Sequence, residues 1–117
     1  MHIFKELKVW NKAVNMTVDV YRVTKNFPSA EKFGLTSQIN RSAVSVQANI
    51  AEGAGRNTNG EFNQFLGIAI GSLYELETLL IISEKIGILP KGDMQSISLQ
   101  IDEVTKMISG LKKSLIN

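Results

Sequence analysis

The sequence has no cysteine and only one histidine, His2, close to the start of the chain. Disulfide bonds and thiolate metal sites are therefore excluded. A Ser-His or Cys-His catalytic pair needs a histidine within the fold, and no Glu-x-x-His motif is present for a di-iron site in a helical bundle. We expect a non-enzymatic protein with no catalytic residue, metal ion or cofactor. The sequence leaves open one small acid-base pair, between Glu52 and a carboxylate of another helix.

Targeting signals and long apolar runs are also missing. Residues 1–10 carry charge too early for a signal peptide and contain no apolar core. No uninterrupted apolar run approaches the roughly 18 residues of a membrane span. We therefore expect a cytoplasmic protein that does not contact a membrane.

Proline and glycine fall mostly between segments with helical periodicity. Both prolines and six of the nine glycines (34, 53, 55, 60, 87 and 92) lie in predicted connections. Within the segments, apolar residues recur at alternating spacings of three and four, which is the period of a bundle-facing helix. The sequence predicts one domain, residues 1–117, folded as an all-α, antiparallel, up-down four-helix bundle. The predicted helices span about 4–25, 35–52, 59–86 and 93–115.

Local signals refine these helices. The third helix has a capping box, in which Thr58 and Glu61 satisfy each other's backbone N–H groups. Asp93 is the predicted N-cap of the fourth helix. The predicted core-facing stripes are Leu7, Trp10, Val14, Thr17, Tyr21 and Thr24 in the first helix, and Phe62, Leu66, Ala69, Leu73, Leu76 and Leu80 in the third.

Two pairs of glycines carry further predictions. Gly53 and Gly55 follow the second helix, where a left-handed residue commonly closes a helix. Phosphate loops precede a helix and carry a lysine-serine pair, so we predict a tight turn here rather than a phosphate cradle. Gly67 and Gly71 lie inside the third helix at a cost of about 1 kcal/mol each relative to alanine, which predicts close approach of another helix backbone.

The second helix has an unusual surface. Its core face repeats Ile39, Ala43, Val46 and Ile50, and a separate smaller apolar patch comprises Val44, Ala48 and Ala51. Because a lone amphipathic helix needs one apolar stripe, the second patch indicates contact with another helix or another subunit. A polar stripe comprises Gln38, Ser42, Ser45, Asn49 and Glu52. It is either the solvent face, or a buried or interfacial hydrogen-bond network, or, less favoured, a ligand pocket.

The net charge is only +2, but it is unevenly distributed. Residues 1–60 contain eight Lys and Arg against four Asp and Glu, whereas residues 61–117 contain five against seven. The basic side chains are either a solvated face or contacts for a phosphate backbone. No aromatic residue alternates with the lysines of the first helix, so stacking on single-stranded bases is not predicted there. The candidate phosphate contacts are Lys5, Lys8, Lys12, Arg22, Arg41 and Arg56.

Five motifs cover nearly the whole chain: LKVWNKAV, FPSAEKFGL, GLTSQINRSAVS, ANIAEGAGR and EFNQFLGIAIGSLYELET. In these motifs the sequence resembles the bacterial 23S rRNA intervening-sequence proteins. The resemblance implies a four-helix bundle that forms rings, typically homopentamers. That family also looks like the accessory proteins of diversity-generating retroelements, which are basic pentameric barrels that bind nucleic acid and a reverse transcriptase. The family name describes where the gene lies, and does not make its product a ribosomal component.

The resemblance implies RNA or DNA as a partner, although a charge of +2 departs from a strongly basic accessory protein. The alternative is a protein-interaction scaffold that binds a protein partner and no nucleic acid. In that case the apolar patch and the polar stripe of the second helix are the contact surfaces.

Overall fold

Four α-helices account for most of the chain in the computed structural model, which describes residues 1–116. They are α1 (Lys8–Thr24), α2 (Leu35–Ala54), α3 (Asn59–Lys85) and α4 (Lys91–Ser114), with short 3-10 turns at Phe4–Glu6 and Ser29–Glu31. The described residues contain no strand. The all-α class and the four helices are confirmed, and Asn117 of the predicted domain lies outside the described residues.

Helices that follow one another in sequence are neighbours in space. α2 packs against α1 and α3, α3 packs against α4, and α4 returns to α1, so the bundle closes in up-down order. The most extensive contact is between α2 and α3. The bundle is elongated, with principal extents of 45 × 23 × 20 Å. The predicted core stripes of α2 and α3 are buried.

The first helix differs from its prediction in its start and in the face that it buries. The predicted start at Phe4 is a 3-10 turn, Leu7 is extended, and the α-helix begins at Lys8. The backbone N–H of His2 donates to the carbonyl of Ala54 at 2.8 Å, which ties this segment to the end of α2.

The buried face of α1 is rotated only partly from the predicted stripe. Thr17 and Thr24 of that stripe are buried, whereas Tyr21 is exposed. The other buried residues of α1 are Val9, Ala13, Met16 and Val20. Apolar residues surround most of α1, so periodicity alone did not identify the face that meets the core. The rotation places Tyr21 on the surface of the bundle.

The left-handed turn predicted for Gly53 and Gly55 is wrong. Gly53 lies within α2, Gly55 has a φ of −82°, and the one residue of positive φ in the described chain is Gly87, at 86°. A Cβ on Gly53 would stand 2.7 Å from Cβ of Phe65 and 2.8 Å from Cδ1 of Phe62. Gly53 therefore permits α2 and α3 to approach closely, and Gly87 provides the left-handed residue after α3.

The two predicted caps have different outcomes. The N–H of Glu61 donates to Oγ1 of Thr58 at 3.1 Å, and the Thr58 hydroxyl donates to Oε1 of Glu61 at 3.1 Å. The cap at Asp93 is wrong, because α4 begins at Lys91 after Pro90, and Asp93 lies in its first turn. Proline suits this position because its fixed φ fits the entry into a helix.

No helix backbone of this chain approaches the two glycines within α3. A Cβ on Gly71 would meet no atom within 4 Å, and one on Gly67 would meet only Nζ of Lys112, at 3.7 Å. By length and composition, α3 is the one helix of the described residues that could cross a membrane. The central helix of a bundle has the same composition, and one face of α3 is buried in the core. The opposite face is open.

Candidate nucleic-acid interface

The candidate phosphate contacts lie in two groups at opposite ends of the bundle. Lys5 and Lys8 lie beside the end of α2, where Arg56 follows the helix. Arg22 lies near the end of α1, about 20 Å along the helix from Lys8 at 1.5 Å per residue, and Arg41 lies in the first half of α2. Lys5 lies in the 3-10 turn before α1, whereas Lys8, Lys12 and Arg22 lie on α1 itself.

Three of the candidate cations have anionic partners. Nζ of Lys12 lies 2.6 Å from a carboxylate oxygen of Glu103, which joins α1 to α4. Arg22 pairs with Asp19 at 2.8 Å within α1.

Arg56 lies 3.9 Å from a carboxylate oxygen of Glu52. Its guanidinium also lies 4.7 Å from the ring centroid of Phe65. Among the described residues, no carboxylate lies within ion-pair distance of Lys5, Lys8 or Arg41. The first group therefore offers Lys5 and Lys8 as its unpaired cations.

The second group borders an open groove between α1 and the first half of α2, called here the α1–α2 groove. The groove consists of two adjoining hollows that share Tyr21, Thr36 and Asn40. Phe33, in the segment before α2, stands at one edge with 90% of its surface exposed. Four lining residues are cationic and none is acidic: Arg22, Lys25, Lys32 and Arg41.

Hydrogen bonds between α1 and α2 fix the floor of the groove. The hydroxyl of Thr17 donates to the carbonyl of Ala43 at 3.1 Å and lies 3.1 Å from Oε1 of Gln47. The hydroxyl of Thr24 lies 3.0 Å from Oδ1 of Asn40. Because Thr17 and Thr24 are buried, these bonds hold the two helices at a fixed distance.

One of the groove cations is paired with a carboxylate. Asp19 accepts from Arg22 on one oxygen and from Nε2 of Gln100, 3.1 Å away on α4, on the other. Oε1 of Glu31 lies 3.4 Å from the backbone N–H of Leu35 at the start of α2. Lys25, Lys32 and Arg41 are the groove cations that have no ion pair among the described residues.

Comparisons with known proteins add a family to this geometry. Residues 5–110 match the family described as 23S rRNA-intervening sequence protein. The chain belongs to this family. A similar solved structure is that of a protein of unknown function from the S23 ribosomal protein family of Bacteroides thetaiotaomicron, with a TM-score of 0.83 and 25% sequence identity. The alignment covers 90% of this chain and 98% of that one. A comparison with curated proteins finds no match.

In this intervening sequence protein, the polar stripe of α2 runs along the α2–α3 contact. The hydroxyls of Ser45 and Ser72 lie 2.8 Å apart, which connects α2 to α3. Nδ2 of Asn49 donates to the carbonyl of Ser45 at 2.8 Å and to its hydroxyl at 3.0 Å. Ser42 is buried and donates to the carbonyl of Gln38 at 2.9 Å. Gln38 and Glu52 are exposed, so the stripe combines a half-buried network with solvent-facing ends.

Two apolar surfaces of the intervening sequence protein lie outside its core. Val44 and Ala48 of the predicted patch are exposed, Ala51 is half-buried, and Val44 also lines the α1–α2 groove. The second surface is the open side of α3, called here the α3 outer face. It consists of exposed residues at helical spacing, mostly apolar or small, with one carboxylate and one lysine among them: Gln64, Gly67, Ile68, Gly71, Tyr74, Glu75, Thr78, Ile82, Lys85 and Ile86.

The described residues contain no cluster of three or more His, Cys, Asp and Glu that could hold a metal ion. His2, the histidine considered for catalysis, packs against Phe62 with ring centroids 5.0 Å apart. Glu52 lies beside Arg56.

Sequence reasoning missed four residues of the groove: Tyr21, Lys25, Lys32 and Phe33. Tyr21 was assigned to the core, and the segment around Phe33 was treated as a connection. The sequence contained one signal for this site. Lys32 and Phe33 place a cation beside a large apolar residue, in a segment outside the predicted helices. Phe33 is therefore not part of any predicted core-facing stripe.

Proposed function

We propose that this family member is a non-enzymatic oligomeric accessory protein that binds RNA or DNA through the phosphate backbone. The observation that carries the proposal is the α1–α2 groove, which has four cationic lining residues and no acidic one. Side chains of Lys and Arg supply most of the affinity for a polyanion, and they contact phosphates without reading sequence. Binding with little sequence preference and a steep dependence on salt is therefore expected.

The oligomer matters because one chain carries a net charge of only +2. Repetition of the groove on several subunits presents one nucleic acid with several cationic sites, which raises the overall affinity through effective concentration. The homopentamer implied by the family resemblance would display five copies. Light scattering coupled to size exclusion measures the subunit number, and a monomer would contradict this part of the proposal.

The decisive experiment compares two triple variants of equal charge. The first, Lys25→Gln with Lys32→Gln and Arg41→Gln, removes the groove cations that have no ion pair among the described residues. The control, Lys85→Gln with Lys106→Gln and Lys113→Gln, removes three exposed lysines elsewhere. Affinity for a mixed-sequence RNA and a mixed-sequence DNA is measured by fluorescence anisotropy between 50 and 200 mM salt, the range over which phosphate contacts are lost.

We expect the groove variant to lose at least roughly tenfold in affinity and to lower the slope of log affinity against log salt by about two. The control variant should change affinity by less than about threefold, because its charges lie away from the groove. Equal losses in both variants would show that only the overall charge matters. If the groove variant bound nucleic acid as the wild type does, the interface would be assigned to Lys5 and Lys8. The next test would then be the replacement of Lys5, Lys8 and Lys12 together with glutamine.

A second candidate function is a protein-interaction scaffold without nucleic-acid binding. The observation in its favour is the exposure of two apolar surfaces, the Val44, Ala48 and Ala51 patch and the α3 outer face. Exposed apolar patches on small proteins commonly mark protein contacts. A stable multimer that ignores RNA and DNA at low salt would favour the scaffold over the accessory protein.

A further inference from the structure

The α1–α2 groove contains aromatic side chains as well as cations. Phe33 is 90% exposed and Tyr21 is 48% exposed, and both line the same hollow. Phe27, in the connection that follows α1, is buried by contrast. An exposed phenyl ring gains nothing from the core of the bundle, so its position on the rim of a cationic groove points to a ligand with flat apolar faces.

The cations are placed to work together with these rings. Nζ of Lys32 lies 5.5 Å from the ring centroid of Phe33, within the range of a cation–π contact. Lys25 lines the hollow on the other side of Tyr21, and Arg41 lies beside the hollow that Phe33 borders. Alternating aromatic rings and cations along a groove are the arrangement that binds an unpaired nucleic-acid strand, whose bases stack while its phosphates meet the cations.

We propose that the α1–α2 groove binds single-stranded RNA, with bases stacked on Phe33 and Tyr21 and phosphates contacted by Lys25, Lys32 and Arg41. A duplex does not suit this site, because its base faces are already stacked on the neighbouring base pairs. The inference rests on the proposed function and adds the strand state and the stacking residues to it.

Polar side chains in the groove favour RNA over DNA. Thr36, Ser37 and Asn40 line the hollow between Tyr21 and Phe33. Their hydroxyl and amide groups can donate to or accept from a ribose 2′-OH, the group by which a protein distinguishes RNA from DNA. The same hollow contains no acidic side chain that would repel the backbone.

The test uses three labelled oligonucleotides of equal length: an unstructured RNA strand, its RNA duplex and the corresponding DNA strand. Phe33→Ala removes one stacking surface, and its near-complete exposure keeps the fold unaffected. Phe33→Trp restores a stacking surface. Leu99→Ala is the control, because Leu99 is a large apolar residue, 71% exposed, on α4, outside both the groove and the α3 outer face. Light scattering of every variant records the subunit number alongside the affinity.

We expect Phe33→Ala to weaken single-stranded RNA binding roughly 5- to 100-fold, the range for loss of one stacked base. Phe33→Trp should restore the affinity, and Leu99→Ala should change it less than about twofold. Duplex RNA should bind more weakly to the wild type and respond little to either Phe33 variant. The DNA strand should bind less tightly than the RNA strand.

Other outcomes would overturn the inference in distinguishable ways. Equal affinity for strand and duplex, with no effect of Phe33→Ala, contradicts stacking but leaves phosphate-backbone binding intact. No binding of any oligonucleotide by the wild type contradicts the proposed function as well. A change of mass in Phe33→Ala without a change in RNA affinity would identify the groove as a contact between copies of this chain. Equal affinity for the RNA and DNA strands would overturn the assignment to RNA.

Discussion

The α1–α2 groove and the α3 outer face are both exposed, yet their chemistry is opposite. The groove combines four cations with two exposed aromatic rings and hydrogen-bonding side chains. The α3 outer face combines isoleucines and two glycines with one carboxylate, Glu75, and one lysine, Lys85, at its end. A polyanion therefore finds less positive charge on α3 than in the groove, whereas the isoleucines and glycines offer another helix an apolar contact.

The difference between the two surfaces suggests a division of roles within one oligomer. Gly67 and Gly71 have no side chains, so another helix could approach the α3 backbone closely there. No backbone of another helix of the same chain lies within 4 Å of a Cβ at either position. No other helix of the same chain makes the close approach predicted for these glycines. The prediction that stays is the approach of a helix from a second copy of the chain. If copies meet through the α3 outer face, the α1–α2 groove on the other side of the bundle remains available to nucleic acid.

The largest effect is expected from a charge placed on the α3 outer face. Ile82→Glu would bury an unpaired carboxylate between copies, at a cost of several kcal/mol per contact. We expect the multimer to dissociate towards the 12.9 kDa chain in light scattering. RNA binding should weaken through the loss of avidity while the salt dependence per groove stays the same.

Leu99→Glu is the matched control for that variant, because Leu99 is an exposed apolar residue on α4, outside the α3 outer face. It should leave the mass unchanged. A multimer that survives Ile82→Glu would exclude the α3 outer face as the contact between copies. Dissociation by Leu99→Glu alone would move that contact to α4.

A smaller effect is expected at the contact between α2 and α3 that lies beneath both surfaces. Gly53→Ala places a Cβ 2.7 Å from Cβ of Phe65 and 3.2 Å from the carbonyl of Phe62. Because backbone cannot move aside as a flexible side chain can, we expect a loss of about 1–3 kcal/mol in the free energy of unfolding. Gly110→Ala should raise stability by up to about 1 kcal/mol through helix propensity, since a Cβ there meets nothing within 4 Å.

Urea denaturation followed by circular dichroism measures both glycine variants. If Gly53→Ala lowers the free energy of unfolding and Gly110→Ala raises it, the loss at Gly53 comes from its packing against α3 and not from the helix propensity of glycine. A stabilised Gly53→Ala would mean that α2 and α3 separate easily. The relative placement of the groove and the α3 outer face would then be less fixed than the structure indicates.

The fold was predictable from sequence because four periodic segments and the connections between them agree. The α3 stripe from Phe62 to Leu80 is buried as predicted. One of the two predicted bonds of the capping box forms, from the Glu61 N–H to Thr58, while the Glu61 carboxylate accepts from the Thr58 hydroxyl and not from its backbone N–H. Each of these signals is local and repeats along a single helix. The α1 stripe is only partly right: Thr17 and Thr24 are buried and Tyr21 is exposed, since apolar residues surround α1 and leave its exact orientation to contacts with other helices.

The candidate site was less predictable because it joins residues from separate elements. Tyr21 and Phe33 reach the same hollow only after the chain reverses between α1 and α2. Gly53 was assigned to a turn because the distance between α2 and α3 is a tertiary property that glycine spacing does not contain. The roles of Lys5 and Lys8 in nucleic-acid binding, and of the polar stripe between subunits, stay predictions.

The smallest effect is expected at Val44, which borders both the groove and the predicted apolar patch of α2. It lies three residues after Arg41 on the same helical face, so a glutamate there can pair with the guanidinium and withdraw it from phosphate. We expect Val44→Glu to weaken single-stranded RNA binding by about three- to tenfold and Val44→Gln by less than about twofold, both measured by anisotropy. Glutamate and glutamine are similar in size, so the difference in RNA affinity between the two variants measures the effect of the charge.

A change in mass for both variants, with RNA affinity unaltered, would instead assign Val44, Ala48 and Ala51 to a protein contact. That result would favour the scaffold over the nucleic-acid accessory protein, because the cationic groove would then lie unused beside a subunit interface.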